Sequence, residues 1–315
     1  MKYSFLFPGQ GSQTVGMGKD LYDKYECARD RFEQANEIIG RDLMSIIFNG
    51  PREQLTQTEN TQPALFIVEA AITDVLAEEG ITPVLTVGHS LGEYGALYAA
   101  GVISFEEGLK AVTKRGELMA AAGKMSAGTM AAVIGLDKET LASLLAQVTG
   151  GIVVPANENS PEQTVISGEI TTVHEACEKC RAAGARRAIL PVSGAFHSPL
   201  MQSAEDTFAD FLDTINFQVP CCPVISNVSA ALETDPVRLK ELLLKQLTSP
   251  VKWVDSMMTL AAFDHGQCLE TGPKDVLKGL AKKCNNTLNL ISCGSAANIY
   301  FLLTEKGQYS RSVLV

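Results

Sequence analysis

Apolar positions along the chain follow two rhythms that take turns. Short, largely apolar runs, such as residues 2–7 and the group Val84, Leu85 and Val87, read as buried strands. Between them, apolar residues recur every three or four positions and predict one or two helices over 16–40, a helix over 62–79 and another over 105–122. The polar stretch 51–60 predicts a loop. Strand alternating with helix in this way predicts a parallel sheet with helices on both faces. From about residue 127 the order becomes strand (128–136), helix (137–148), strand (151–157), strand (163–168), helix (170–183) and strand (185–192), the βαββαβ order of a ferredoxin-like unit. The first rhythm then returns with a helix over 199–213, a strand at 222–227, helices over 236–247 and 250–264, a strand at 266–270 and a helix over 274–283. The expectation is an α/β fold whose large domain, 1–126 and 193–315, is interrupted by a small subdomain at 127–192. The tail "EKGQYSRSVLV" has no periodicity and is expected to be poorly ordered.

Composition narrows the function classes. With 46% hydrophobic and 20% charged residues the chain can bury a sizeable core and is not of the disordered class. No apolar run approaches the ~20 residues that cross a bilayer, and "MKYSFLFPGQGSQ" is too short an apolar start for a signal peptide, so no membrane and a cytoplasmic setting are expected. A net charge of −10 argues against nucleic acid as a partner. Eight cysteines lack the regular spacing of a disulfide framework and read as small buried apolar groups. His174, Cys177 and Cys180 fall three apart and would share a helical face, but no fourth ligand stands at a recognisable spacing, so no metal is expected.

Candidate chemistry centres on "LTVGHSLGEYGALYAAG", residues 85–101. Gly88-x-Ser90-x-Gly92 stands where a strand gives way to a small-residue helix, the pattern of a nucleophile elbow. Such a turn strains the serine backbone, exposes its hydroxyl and aims the next amide, that of Leu91, at the same space. The alternative is a glycine-flanked loop serine. A nucleophilic serine needs a base. His89 lies inside the elbow with its side chain turned away, His174 falls on a helix of the small unit, and His265 precedes Gly266 in a turn. His197 remains, followed by Ser198 and Pro199, which read as an N-cap and a first helical residue. The positive end of a helix would keep its imidazole neutral, as a general base must be. The alternative is a histidine merely packed at a helix entrance.

Ser104 and Glu107 form a capping box for the helix over 105–122, and Arg115 falls within its stripe of Ala111, Val112, Leu118 and Met119. No acidic residue lies three or four positions away, so the guanidinium either pairs with a distant Asp or Glu or waits for a substrate carboxylate. The loop "FPGQGSQ", 7–13, lacks the ending of a phosphate loop, and Thr14 stands where a dinucleotide fingerprint wants glycine. It reads as an ordinary tight turn or as a loop that offers the Gln10 amide to a developing oxyanion.

Six segments in register, "FPGQGSQ", "TENTQPALF", "GHSLGEY", "KRGELM", "GAFHSPLM" and "KQLTSPVKW", resemble the malonyl-CoA:acyl carrier protein transacylases from residue 1 to about 284. The resemblance implies an α/β-hydrolase-like large domain with a ferredoxin-like insert, malonyl-CoA and an acyl carrier protein as partners, and no bound cofactor. It also implies that Ser90 is the malonylated nucleophile, His197 its base, Arg115 the clamp on the malonyl carboxylate, and the amides of Gln10 and Leu91 the oxyanion hole. Gln246 matches the position whose carbonyl orients the histidine. Met119 and Phe196 match acyl-pocket walls, with phenylalanine favouring malonyl over methylmalonyl. The chain departs from the family at Gly272-Pro273-Lys274-Asp275, where Gly-Pro-Gly-Lys is common. A serine thioesterase or esterase, and a non-catalytic carrier-binding module, are the competing readings. Carrier docking is expected on Lys179, Arg181, Arg186 and Arg187, or else on Lys278, Lys282 and Lys283.

Overall fold

The computed structural model describes residues 1–190, 192 and 194–305. The sequence expectation for the tail concerns residues that, from 306 onward, lie outside the described ones. In chain order the strands are β1 (Tyr3–Phe7), β2 (Leu85–Gly88), β3 (Gly128–Ile134), β4 (Val153–Ser160), β5 (Gln163–Glu169), β6 (Arg186–Ile189), β7 (Val224–Ile225), β8 (Leu232–Glu233), β9 (Gln267–Glu270) and β10 (Leu290–Ser292). Six of them form one sheet in the order β10-β9-β1-β2-β7-β8, parallel at every pairing except β7 with β8. The other four form an antiparallel sheet in the order β4-β5-β3-β6, the pairing of a βαββαβ unit, with its helices at Lys138–Leu145 and Ile170–Ala182.

The largely apolar runs of β1 and β2, in which Ser4 and Thr86 are buried as well, follow from burial on both faces. Phe5 and Phe7 point into a core beneath the helices Thr58–Glu78 and Phe105–Met125, while Leu6, Leu85 and Val87 join Trp253, Met257 and Leu277 on the other side. Burial of each such side chain contributes about 1.5–3 kcal/mol. Ala131, Val133, Ile166 and Val173 make a separate core under the small sheet. Cys177 and Cys180 are packed into that core, whereas His174 is exposed, so the three do not converge as ligands.

The polar segment 51–60 is not a loop. A short helix, Arg52–Leu55, leads into the long helix, which starts at Thr58 and runs through Pro63. Proline removes the amide that would bond the Glu59 carbonyl, and Arg41 Nη2 supplies a donor to that oxygen at 3.1 Å. Thr61 Oγ1 and Asn60 Nδ2 tie the first turn back to the carbonyls of Leu55 and Gln54 at 2.6 and 2.9 Å. These polar residues look solvated in sequence because their partners come from the preceding turn. The pattern also passed over the helix Leu43–Asn49, the three-residue strand β10 and the helix Ala296–Glu305.

Glu69 is fully buried in the long helix beside Gly95, where an added Cβ would lie 2.5 Å from Glu69 Oε2. Neither carboxylate oxygen has a hydrogen-bond partner among the described residues, and burial pushes the group well above its ordinary value of 4.5. A raised folded value means that its stability contribution is complete below 4.5 and is lost as pH climbs through the folded value. Glu69→Met should therefore raise the melting temperature by roughly 5 °C, with a larger gain at pH 8 than at pH 5. Thermal melts at both pH values that show no difference between the variants would reject this assignment.

Candidate active site

The elbow forms because only glycine fits on either side of Ser90. An added Cβ at Gly88 would stand 1.9 Å from the Gly92 carbonyl, and one at Gly92 would stand 2.1 Å from the Phe7 carbonyl oxygen. The chain thus turns from β2 into the helix Gly92–Ala99 with Ser90 in the left-handed region, at φ 52°. Asn227 clips this turn: its Oδ1 accepts from the Ser90 amide at 2.7 Å while its Nδ2 donates to the Gly88 carbonyl. His197, at φ 55°, comes from the loop before the 3-10 turn Pro199–Met201. Among the described residues the only other non-glycine at positive φ is Ala230.

These two strained residues meet. His197 Nε2 lies 2.7 Å from Ser90 Oγ, and Nδ1 lies 2.8 Å from the Gln246 main-chain oxygen. A carbonyl can only accept, so Nδ1 carries the proton and Nε2 is left to accept from the serine hydroxyl. His197 is held down to about 3, first by burial and then by the Arg115 guanidinium, against the opposing bond to Gln246. Its neutrality therefore has a different source from the helix end that the sequence suggested.

Arg115 lies on the capped helix Phe105–Met125, whose Ser104 and Glu107 make the expected box. It is 1% exposed. No carboxylate pairs with it: Nη1 donates to Gln62 Oε1 at 2.8 Å, and Nη2 donates to Gln246 Oε1 at 2.9 Å and to Ser90 Oγ at 3.3 Å. Two neutral amides thus hold a full charge beside the hydroxyl, and burial lowers the guanidinium from its ordinary value. Nε has no partner among the described residues.

A cavity of about 100 Å³ opens over Ser90 and is lined by Gln10, Leu91, Arg115, Met119, Phe196 and His197. All but one of the residues selected from sequence line it, and the exception, Gln246, stands directly behind. Met130, Asn157 and Leu190 add a wall from the small sheet and its margin. Among the described residues, the main-chain amides of Gln10 and Leu91 donate to no carbonyl or side chain, while the Gln10 side-chain amide reaches Thr58 Oγ1 at 3.5 Å. His89 also borders the cavity, but its ring turns to Asn159 Oδ1 at 2.8 Å and lies against Trp253. His265 bonds the carbonyl of Gly266 in a half-buried turn.

A family model described as an acyl transferase domain matches residues 4–293. The malonyl CoA-acyl carrier protein transacylase of Bacillus subtilis (strain 168) is 45% identical over 301 residues, covering 95% of this chain and 95% of its own. The chain belongs to the malonyl CoA-acyl carrier protein transacylase family. Among solved structures, an acyl carrier protein S-malonyltransferase from Vibrio cholerae O1 biovar eltor matches with a TM-score of 0.92 and 42% identity, over 96% of this chain and 100% of that one. A type II PKS acyl-carrier protein in complex with its malonyl-transacylase gives 0.92 and 40%, over 97% of this chain and 100% of the other.

For this transacylase-family chain, sequence reasoning missed Gln62, Asn227 and the side-chain role of Gln246. Gln62 lies in the quoted "TENTQPALF" and could have been flagged as a polar residue one turn from the start of an apolar helix. Asn227, in "SNVSA", carries no local signal, because its partners lie 139 and 137 residues away in sequence.

Proposed function

We propose that the protein transfers a malonyl group from malonyl-CoA to the phosphopantetheine thiol of an acyl carrier protein through a malonyl ester on Ser90. The observation that carries this reading is a buried, carboxylate-free Arg115 at 3.3 Å from the Ser90 hydroxyl. A cation fixed there suits an acyl group that ends in a carboxylate, and it penalises one that does not, because the guanidinium would stay desolvated and unpaired.

In the first half-reaction His197 Nε2 takes the proton from Ser90 Oγ as that oxygen attacks the thioester carbon. The oxyanion rests on the amides of Gln10 and Leu91, and the intermediate collapses with return of the proton to the departing coenzyme A thiolate. In the second half-reaction the pantetheine thiol gives its proton to His197, attacks the malonyl ester, and Ser90 recovers its proton. The scheme calls for no resident metal or organic cofactor. The Gln246 carbonyl orients the imidazole where a hydrolase triad would place an acid, and this supports transfer over a thioesterase or esterase. Met119 and Phe196 bound the acyl group.

The reading carries three further assignments. Residues 1–126 with 193–315 act as the large domain and 127–192 as the small subdomain, supported by the separate core under β3 to β6. The setting is cytoplasmic, supported by eight cysteines that are all free thiols. Carrier docking falls on Lys278, Lys282 and Lys283, which have no ion pair among the described residues, whereas in the other set Lys179, Arg181 and Arg187 are paired with Glu175 and Glu178 and Arg186 alone has no ion pair among the described residues.

Intact-protein mass after incubation with malonyl-CoA, followed by addition of holo-carrier protein, tests the function. A malonyl adduct that moves to the carrier supports it; free coenzyme A without an adduct indicates a hydrolase, and neither product indicates a binding module. Arg115→Ala should lower kcat/KM for acylation by malonyl-CoA by roughly 10³-fold and change that for acetyl-CoA by less than about tenfold. Equal losses for both would remove Arg115 from its role as the clamp.

A further inference from the structure

The Gln246 side chain stands between two buried groups of opposite charge. Its Oε1 accepts from Arg115 Nη2 at 2.9 Å, and its Nε2 donates to Glu93 Oε2 at 2.6 Å. One planar amide thereby joins the guanidinium to the carboxylate, and each of the two bonds polarises the amide in favour of the other. Glu93 is 1% exposed, as is Arg115. Glu93 Oε2 also accepts from the Asn227 amide at 3.2 Å, while Oε1 has no partner among the described residues. Among the described residues Arg115 therefore has one carboxylate that answers its charge through an amide, and that carboxylate sits on the far side of Gln246 from the cavity.

We propose that Glu93 is the resident counter-charge of Arg115, and that an incoming substrate carboxylate displaces it from that role, so that loading a carboxylate-bearing acyl group is coupled to proton uptake by Glu93. The inference rests on the reading of Arg115 as the group that holds the malonyl carboxylate. With the substrate in place, two carboxylates share one guanidinium, one in direct contact and one through an amide. Their mutual repulsion in a dry site raises the proton affinity of the indirectly held one by about tenfold. The proton comes from solvent, and the unpartnered Oε1 is the oxygen free to bind it without breaking the bonds to Gln246 and Asn227.

Glu93 is placed to respond near neutrality. Burial pushes it up to about 7, against the opposing hydrogen bonds of Gln246, Asn227 and Ser226 and the charge of Arg115. The other ionisable groups around its helix are Tyr94 and Tyr98 on the same helix, the latter bonded to Asp74 beside Arg31, Glu69 against Gly95, Arg115 beyond Gln246, and His89 and His197 in the cleft; β2 contributes no ionisable side chain, and β1 only Tyr3 at its far end. Below about 7 the carboxyl is already neutral before substrate binds and no competition arises. Between about 7 and the roughly tenfold stronger proton affinity of the loaded state, binding of malonyl-CoA draws in up to about half a proton per site. The preference for malonyl over acetyl should then weaken as pH rises, while processes common to both substrates cancel in the ratio.

The test is the ratio of acylation kcat/KM for malonyl-CoA to that for acetyl-CoA, measured from pH 6.5 to 8.5 in the wild type and in Glu93→Gln. The amide keeps the shape and an oxygen at the Oε2 position but has no charge. The ratio is expected to fall about sixfold across this range in the wild type and to stay flat in Glu93→Gln, which should exceed the wild type at pH 8.5. A Glu93→Gln profile with the wild-type slope, or a flat wild-type profile, would overturn the proposal. Should the variant fail to fold, calorimetry on Ser90→Ala at pH 8 in buffers of different ionisation enthalpy gives the same answer. Proton uptake with malonyl-CoA but not with acetyl-CoA supports the coupling, and no uptake rejects it. Failure of the underlying reading looks different: the wild type would show no malonyl preference at any pH, and Arg115→Ala would change nothing.

Discussion

Ser90→Ala is expected to abolish acyl transfer, with a loss of at least about 10⁴-fold and no malonyl adduct by intact mass. The substitution removes one oxygen atom and leaves the machinery around it in place. Asn227 still holds the backbone of the elbow through the residue 90 amide, and His197 keeps its bond to the Gln246 carbonyl. Binding of malonyl-CoA should survive, since Arg115 loses only its 3.3 Å contact and keeps Gln62 and Gln246. A variant that still accumulates a covalent adduct would place the nucleophile elsewhere. A variant with full carrier affinity and an inactive wild type beside it would favour the binding module.

His197→Ala carries the second-largest expected effect, about 10³- to 10⁴-fold on both half-reactions, because the same imidazole removes the serine proton in one and the thiol proton in the other. The pH profile adds a sharper requirement. Burial and Arg115 hold His197 down to about 3, so the free base persists far below the ordinary histidine value of 6.5. Acylation by acetyl-CoA should hold its plateau through pH 5.5, with its acid limb set lower. Burst kinetics of coenzyme A release across this range provide the measurement. An acid limb near 6.5 would mean that the imidazole is solvated during turnover, contrary to its position between Ser90, Arg115 and Gln246.

The parts of this protein that were legible in sequence are those whose cause is local. β1 and β2 read as strands because helices cover both faces and make nearly every position apolar, and the elbow reads as such because Gly88 and Gly92 have no room for a Cβ. Ser104 and Glu107 bond each other across three residues, so the start of the Arg115 helix was equally plain. Gln62, Glu93 and Asn227 come from three separate segments and acquire their roles only when the fold brings them round Arg115 and Ser90. A polar residue whose partner lies more than fifty positions away looks in sequence like one that faces water. The start of the long helix, Thr58 to Asn60, became an expected loop for a nearer reason, since its Asn60 side chain bonds the turn just before it. Chain position 197 was found by elimination among four histidines, yet what keeps that ring neutral could only be read from its surroundings.

The two residues that share the central hydrogen bond, Ser90 and His197, both hold left-handed backbones despite carrying side chains. Such a conformation costs of the order of 1–2 kcal/mol at each position, and glycine would adopt it without that cost. Thermal robustness and turnover therefore pull in opposite directions at these two sites. A laboratory screen that rewarded heat resistance alone would drift towards an inert but sturdier protein.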